Sequence, residues 1–183
     1  MFNPFKKKTI LVPNYHQLWS TCKFDPKYEH ETTIVCSLIN KKSEVYKQVE
    51  EVTKVPWQLI AAIHYREASL SFLTCLHNGD PLPGPTTHVP KGRGPFISWE
   101  SAAIDALQME ELPDTWTFES MLAWAEKYNG LGFRSRGLYS NYVWAGTDVY
   151  MGGMYVSDGK FDNNKFDKRI GVACIIKKLT FDV

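Results

Sequence analysis

The sequence predicts a mostly helical (α+β) fold with a small β or loop lobe, and three observations support this. Apolar residues recur at helical spacing in several stretches of the chain. A long Pro- and Gly-rich segment interrupts those stretches. The 183 residues are 44% hydrophobic with a formal charge of +1, which is enough apolar content for one buried core. We therefore expect a single domain over residues 1–183.

The first helical stretches follow an irregular start. Residues 1–30 mix Pro, Asn, Tyr and Trp without sustained periodicity, which predicts an irregular N-terminal arm. Ser43 precedes an apolar stripe at helical spacing and is a plausible cap. Pro56 then opens the next helix, predicted over 55–69, because proline is favoured in a first turn.

The second half of the chain alternates loops and helices. Residues 74–95 contain five prolines and four glycines, which exclude a long helix and predict a loop or a short β-hairpin. Helices are expected over 98–107 and 117–128, and Gly130 should end the second one. A last helix is predicted over 164–179.

One glutamate takes the place of an expected core residue. Ile60 and Ile63 form the apolar stripe of the helix that Pro56 opens, and Glu67 follows one turn later on the same face. Burial disfavours a charged carboxyl and raises its pKa, which leaves an acid that can donate a proton near neutral pH. Cleavage of an acetal needs such an acid, because a glycosidic oxygen leaves poorly until it is protonated.

A structural role for Glu67 is the alternative. An inward-facing glutamate often pairs with a buried cation, and Arg66 or His64 could be the partner. The long loop that follows this helix favours a functional site instead. Loops of this length inside a compact domain are usually functional, and an acid at a helix end that faces such a loop forms a cleft.

Two segments resemble a known family. Residues 55–69, from Val-Pro-Trp to Glu-Ala-Ser, resemble the first signature of goose-type lysozymes and lytic transglycosylases, a helix that ends in Glu-x-Ser. Residues 126–132, which contain Tyr-Asn-Gly, are similar to a segment that lines the cleft of that superfamily. With 77–81 and 142–147, the chain is most like lysozyme-like proteins of phages and prophages, over roughly residues 45 to 175.

The resemblance implies a lysozyme-like fold and a muramidase that cleaves the β-1,4 bond between N-acetylmuramic acid and N-acetylglucosamine. Glu67 would be the general acid. Asp80, thirteen residues later in a polar loop that keeps it ionised, would be the second catalytic carboxylate, although Asn-Gly-Asp-Pro is also ordinary turn sequence. Asp105 and Asp148 are the other carboxylates considered for that role.

Several polar and aromatic residues are predicted to bind the glycan. Ser69 could contact the substrate or the acid, or simply cap the helix, and the aromatic residues could stack on sugar rings or belong to the core. The predicted substrate-binding set is Ser69, His77, Asn78, Tyr128, Asn129, Tyr142 and Trp144.

Three other functions remain open at this stage. Attack by the muramic 6-hydroxyl would make the protein a lytic transglycosylase with anhydro products, although the Gly-Leu-Met-Gln segment usual in those enzymes is absent. His64 and Glu67, one turn apart, could bind zinc with His77 or His88 in a wall amidase or peptidase, but the second helical histidine of metalloproteases is absent. A domain that binds glycan without cutting it is the third.

Charge and composition limit the partners. The short basic runs form no patch typical of nucleic-acid binding, so peptidoglycan glycan strands are the expected partner. No stretch predicts a bilayer-spanning helix, and the N-terminus lacks a secretory signal. The resemblance implies a phage endolysin made in the host cytoplasm and released to the wall by a separate holin pore.

No cofactor and no bound metal are expected for the preferred function. The four cysteines lack the Cys-x-x-Cys spacing of zinc or redox sites, which predicts buried free thiols.

Overall fold

The computed structural model describes residues 11–157 and 159–181. Over these residues the protein is mostly helical, with eight α-helices and one two-stranded antiparallel sheet, which confirms the predicted mostly α class. The helices are α1 (Tyr15–Thr21), α2 (Glu29–Asn40), α3 (Ser43–Thr53), α4 (Trp57–Ala68), α5 (Trp99–Gln108), α6 (Phe118–Asn129), α7 (Asn141–Trp144) and α8 (Val172–Phe181). The strands are β1 (Met154–Ser157) and β2 (Lys160–Asp162).

Helix α4 is the centre of the fold. Every residue from Leu59 to Arg66 is buried, and the helix packs against α3 on one side and α8 on another. Pro56 precedes its first turn, as predicted, where a missing backbone N–H costs nothing. Ile60 and Ile63 are both fully buried, and the burial of each side chain stabilises the helix in this position. The end of α4 is therefore held at a fixed place.

Local capping explains why α5 and α6 begin and end where the sequence predicts. The side chains of Ser98 and Thr117 each accept a hydrogen bond from a backbone N–H of the first turn, both at 3.2 Å. Gly130 ends α6 with a φ of 101°, a conformation that glycine adopts without strain. The helix predicted to begin near Ser43 is also confirmed, although the Ser43 side chain does not cap it.

The prediction of an irregular arm over 1–30 is wrong for part of its length. Helix α1 lies within it, and α2 begins at Glu29; residues 1–10 of the arm lie outside the described residues. Asn14 caps α1, and Trp19 stacks on Phe118 of α6 with ring centroids 4.7 Å apart. The helix is too short to show a clear repeat in sequence, and its packing on α6 stabilises it.

The last helix is shorter than predicted, and the two strands lie outside the segment predicted to form a loop or a hairpin. Helix α8 begins at Val172, so 164–171 is not helical. Residues 74–95 form a loop with isolated bridges, which is the first of the two predicted alternatives. The two strands follow α7 instead, and in their pairing Tyr155 lies opposite Phe161.

Two sequence-based expectations concern the whole chain. All four cysteines, Cys22, Cys36, Cys75 and Cys174, are free and buried, as predicted. Among the described residues, no helix has the length and apolar character needed to cross a bilayer.

A buried histidine ties α4 to the loop that follows it. Nε2 of His64 lies 2.9 Å from the carbonyl of Ser71, so this nitrogen must carry the proton, and Nδ1 accepts from the Tyr46 hydroxyl at 3.0 Å. Burial lowers the pKa of His64 from 6.5 to about 4. The ring is therefore neutral at pH 7.

Because His64 is buried in its neutral form, we expect the unfolding free energy of the protein to depend on pH. Because its folded pKa lies below its unfolded value, its contribution is present above pH 6.5 and is lost as the pH falls toward 4. We expect the wild type to lose roughly 2–3 kcal/mol of unfolding free energy from this group between pH 7 and 4.5. Urea unfolding of the wild type and of His64→Gln at both pH values measures it. Parallel losses in the two proteins would contradict the assignment.

Candidate functional site

Glu67 lies in the last turn of α4, at the junction of two cavities. A cavity of about 290 Å³ is lined in part by Glu67, Glu110, His77 and Tyr128; we call it the acidic cavity. A second cavity of about 210 Å³ is lined in part by Glu67, Arg66, Arg169 and Tyr142; we call it the basic cavity. Both are also lined by Asn129. The two cavities therefore adjoin along Glu67 and Asn129 and form a cleft.

The surroundings of Glu67 raise its pKa. The side chain is open to the cleft rather than sealed in the core, which corrects the expectation from its position in the apolar stripe. Protein atoms still surround it on its other sides, and this partial loss of water raises the pKa of the carboxyl above its usual value. The hydroxyl of Tyr142 donates to Oε1 at 2.8 Å and, with the charges of Arg66 and Arg169, partly offsets the rise.

The predicted structural alternative for Glu67 is wrong on both partners. Nη2 of Arg66 lies 2.6 Å from Oδ2 of Asp167, and both side chains are buried. Both ring nitrogens of His64 are hydrogen-bonded elsewhere, to the hydroxyl of Tyr46 and the carbonyl of Ser71. Within residues 11–157 and 159–181, no cation lies within 4 Å of the Glu67 carboxylate.

The ion pair between Arg66 and Asp167 also belongs to a set of bonds that holds the end of α4 in place. Arg66 also donates from Nη1 to the carbonyl of Ile170 at 3.2 Å, and Nη1 of Arg169 donates to the carbonyl of Arg66 at 2.8 Å. The amide of Asn141 completes the pair by donating to Asp167 at 2.8 Å. The end of α4 is therefore bound to the segment before α8, and Glu67 is held at the cleft.

Asp80 has a different environment from the one predicted. It is 2% exposed, and its carboxylate accepts hydrogen bonds from both backbone N–H groups and both side chains of Thr87 and His88, at 2.6–3.0 Å. These bonds, that to the backbone of His88 first, hold the pKa of Asp80 well below its usual range. Asp80 is ionised as predicted, but it organises the loop and does not line the part of the cleft around Glu67. Its catalytic role stays a prediction that this geometry does not favour.

The neighbouring loop residues divide between the cleft and the turn. His77 lines the acidic cavity, bonds Asp105 through Nε2 at 2.8 Å, and stacks on Phe96. Asn78 accepts from the backbone N–H of Asp80 at 3.0 Å and so shapes the turn. The structure thus brings His77 to Glu67 and leaves Asn78 as a loop residue.

The remaining predicted glycan-binding residues also divide. Tyr128, Asn129 and Tyr142 line the cleft, as predicted. Ser69 ends α4 in a left-handed conformation with a φ of 50° and lines neither cavity. Trp144 is 0% exposed and packs in the core, so its predicted role in stacking on a sugar is wrong.

The zinc alternative gains no support from the geometry. His64 would have to break two hydrogen bonds to bind a metal, and His88 bonds Asp80 through Nδ1 at 2.6 Å. The described part of the chain contains no group of three or more histidine, cysteine or acidic residues placed to hold a metal ion.

Asp105 and Asp148, the other candidates for the second carboxylate, also accept hydrogen bonds from protein groups. Asp105 accepts from the guanidinium of Arg93 and from His77, which lowers its pKa, and Asp148 accepts from the backbone N–H of Lys23 at 2.9 Å.

Two charged residues of the cleft were missed from sequence. Glu110, just beyond α5, is half-buried and lines the acidic cavity. Arg169 lines the basic cavity from the segment before α8. Neither lies in a motif, and only the packing of α5 against α3 and of α8 against α4 brings them to the cleft.

Comparison with known proteins found no matching family model, no matching curated protein and no matching solved structure. Function is therefore inferred from the geometry of the cleft.

The contact between Tyr142 and Glu67 yields a testable prediction. The tyrosine hydroxyl stabilises the charged carboxylate, so its removal in Tyr142→Phe should raise the pKa of Glu67 further. A ¹³C NMR titration of the side-chain carboxyl, in protein labelled at glutamate, measures the midpoint. Tyr139→Phe is the matched control, because Tyr139 lines neither cavity. An unchanged or lower midpoint in Tyr142→Phe would contradict the contact.

Proposed function

We propose that the protein is a peptidoglycan-degrading glycosidase, a muramidase that cleaves the β-1,4 bond between N-acetylmuramic acid and N-acetylglucosamine. The observation that supports it best is the place of Glu67. A carboxyl with a raised pKa and no cationic partner among the described residues stands where two cavities meet. A polymer that runs through both cavities would present one of its internal bonds to that carboxyl.

The mostly helical body supports a lysozyme-like architecture as part of this proposal. In it, a buried central helix ends in the acid, and a long loop together with a small sheet forms the lobe beside it. The motif likeness in 55–69 and 126–132 covers α4 and the end of α6, and the C-terminal ends of both helices line the cleft. The likeness and the cavities thus support the same place on the molecule.

Glu67 acts as the general acid. In its protonated form it donates to the glycosidic oxygen as the bond breaks, which makes the sugar a better leaving group. The carboxylate left behind accepts the hydrogen bond from Tyr142 and lies in the field of Arg66 and Arg169. These groups favour the charged form, so they stabilise the acid after it has given up its proton.

Glu110 is the second carboxylate in this mechanism and activates the attacking water. It lines the same cavity as Glu67, whereas Asp80 does not. Tyr128 lies near both glutamates; burial and their two negative charges raise the pKa of its hydroxyl, which stays protonated and available to the substrate. A base in the cleft supports hydrolysis over attack by the muramic 6-hydroxyl.

The biological setting follows the same proposal. Resemblance to phage and prophage lysozyme-like proteins supports an endolysin that reaches the wall after release through a separate pore, with peptidoglycan strands as its partner. It requires no cofactor.

Glu67→Gln tests the acid assignment. Glutamine keeps the size and much of the hydrogen bonding but has no titratable proton, so lysis of purified cell walls should fall by roughly 10²–10⁴-fold. Glu111→Gln is the control, because Glu111 has an 86% exposed side chain and lines neither cavity of the cleft. Circular dichroism would verify folding. A folded Glu67→Gln protein with near wild-type lysis would reject the proposal.

Glu110→Gln tests the base assignment. We expect the wild type to release fragments with reducing ends, and the variant to do so about 100-fold more slowly. Mass spectrometry distinguishes these from anhydro fragments, which are lighter by one water. Glu111→Gln, one residue along the chain, is again the control. Anhydro products from the wild type, or full activity in Glu110→Gln, would remove Glu110 from the mechanism.

A further inference from the structure

With Glu67 protonated, the basic cavity carries one positive charge in excess. Arg66 and Arg169 both line it, and Asp167 is the carboxylate that lies against both guanidinium groups, at 2.6 Å and 3.6 Å. Asp167 is 3% exposed and does not line the cavity. A ligand in the cavity therefore meets the two guanidinium groups, while the carboxylate that neutralises one of them lies behind.

Arg169 retains donors for a ligand, whereas those of Arg66 are engaged or buried. Nε of Arg66 is buried without a hydrogen-bond partner among the described residues, although Arg66 itself is only 4% exposed. The side chain of Arg169 is 45% exposed and uses Nη1 for the carbonyl of Arg66. An accessible guanidinium with free donors favours a negatively charged, planar group, since such pairs form strong parallel hydrogen bonds.

We propose that the basic cavity binds a carboxylate of the wall polymer, with Arg169 as the residue that contacts it. The inference rests on the proposed function and deepens it. Muramic acid carries a lactyl group, which bears a carboxylate when free and the stem peptide when amidated, and that peptide has carboxylates of its own. A chitin-like strand has none. Arg169 therefore makes the enzyme select muramic-acid polymer over neutral amino-sugar polymer.

The neighbouring acid opposes this ligand less than an ordinary glutamate would. Glu67 shares the cavity, but its raised pKa keeps a larger fraction of it neutral than an ordinary glutamate, so repulsion of an incoming carboxylate is reduced. A bound carboxylate would in turn favour the protonated form of Glu67. The subsite and the acid thus support each other.

The experiment measures binding without catalysis. Glu67→Gln serves as the background so that the ligand is not cut, and calorimetry gives the Kd for three ligands: a chitin oligosaccharide, glycan strands freed of peptide by an amidase, and strands that retain their stem peptides. Arg169→Gln and Arg169→Lys are added to this background. Lys168→Gln, which removes a neighbouring exposed charge that lines neither cavity, is the matched control.

We expect Arg169→Gln to weaken binding of a carboxylate-bearing strand about tenfold and to leave binding of the chitin oligosaccharide unchanged. Arg169→Lys should lose part of that affinity, because an ammonium lacks the planar fork. Loss confined to peptide-bearing strands assigns the carboxylate to the peptide, and loss on peptide-free strands assigns it to the lactyl group. Lys168→Gln should change neither.

Two results would overturn the inference. Equal weakening on all three ligands would mean that Arg169 only supports the shape of the cavity through its bond to the Arg66 carbonyl, and no weakening on any of them would mean that it contacts no ligand. Failure of the proposed function is distinguishable from both: the Glu67→Gln protein would then bind none of the three ligands, and wild-type protein would not lyse cell walls.

Discussion

The buried ion pair between Arg66 and Asp167 is the interaction on which the site depends. It occupies the guanidinium that stands next to Glu67 in the chain, and it joins the end of α4 to the segment before α8. Burying two charges is expensive, and a hydrophobic pair of equal volume is often as stable. Here the pair also determines which carboxylate faces Arg66, so that Glu67 has no cation within 4 Å in the part of the chain that the structure describes.

Glu126 is a glutamate that does have a cationic partner, and it offers a comparison for Glu67. Glu126 is fully buried on α6, bonds Arg134 at 2.9 Å, and accepts from the hydroxyl of Tyr15. It is a structural residue that attaches the N-terminal part of the chain to the body. Glu67 has one tyrosine partner, an open cleft on two sides and no guanidinium within 4 Å among the described residues. The two glutamates therefore differ in their surroundings, although each lies near the C-terminal end of an amphipathic helix.

The sequence predicted what depends on local patterns and missed what depends on packing. Proline, the caps and the apolar repeat located α4, and the break in that repeat identified Glu67. Spacing alone could not show that Asp80 is saturated by its own loop or that Trp144 is enclosed in the core, because both depend on contacts distant in the chain. The same holds for Glu110 and Arg169, which contribute to the cleft through the packing of three helices and carry no local signal.

In the proposed function, a sugar chain passes Glu67 with one glycosidic oxygen at the carboxyl. A crystal structure of Glu67→Gln with a muramic acid-containing tetrasaccharide tests it most directly. We expect sugar rings in both cavities and a glycosidic oxygen about 3 Å from the side-chain amide of residue 67. A tetrasaccharide bound elsewhere on the molecule, or one that ends before reaching residue 67, would contradict it.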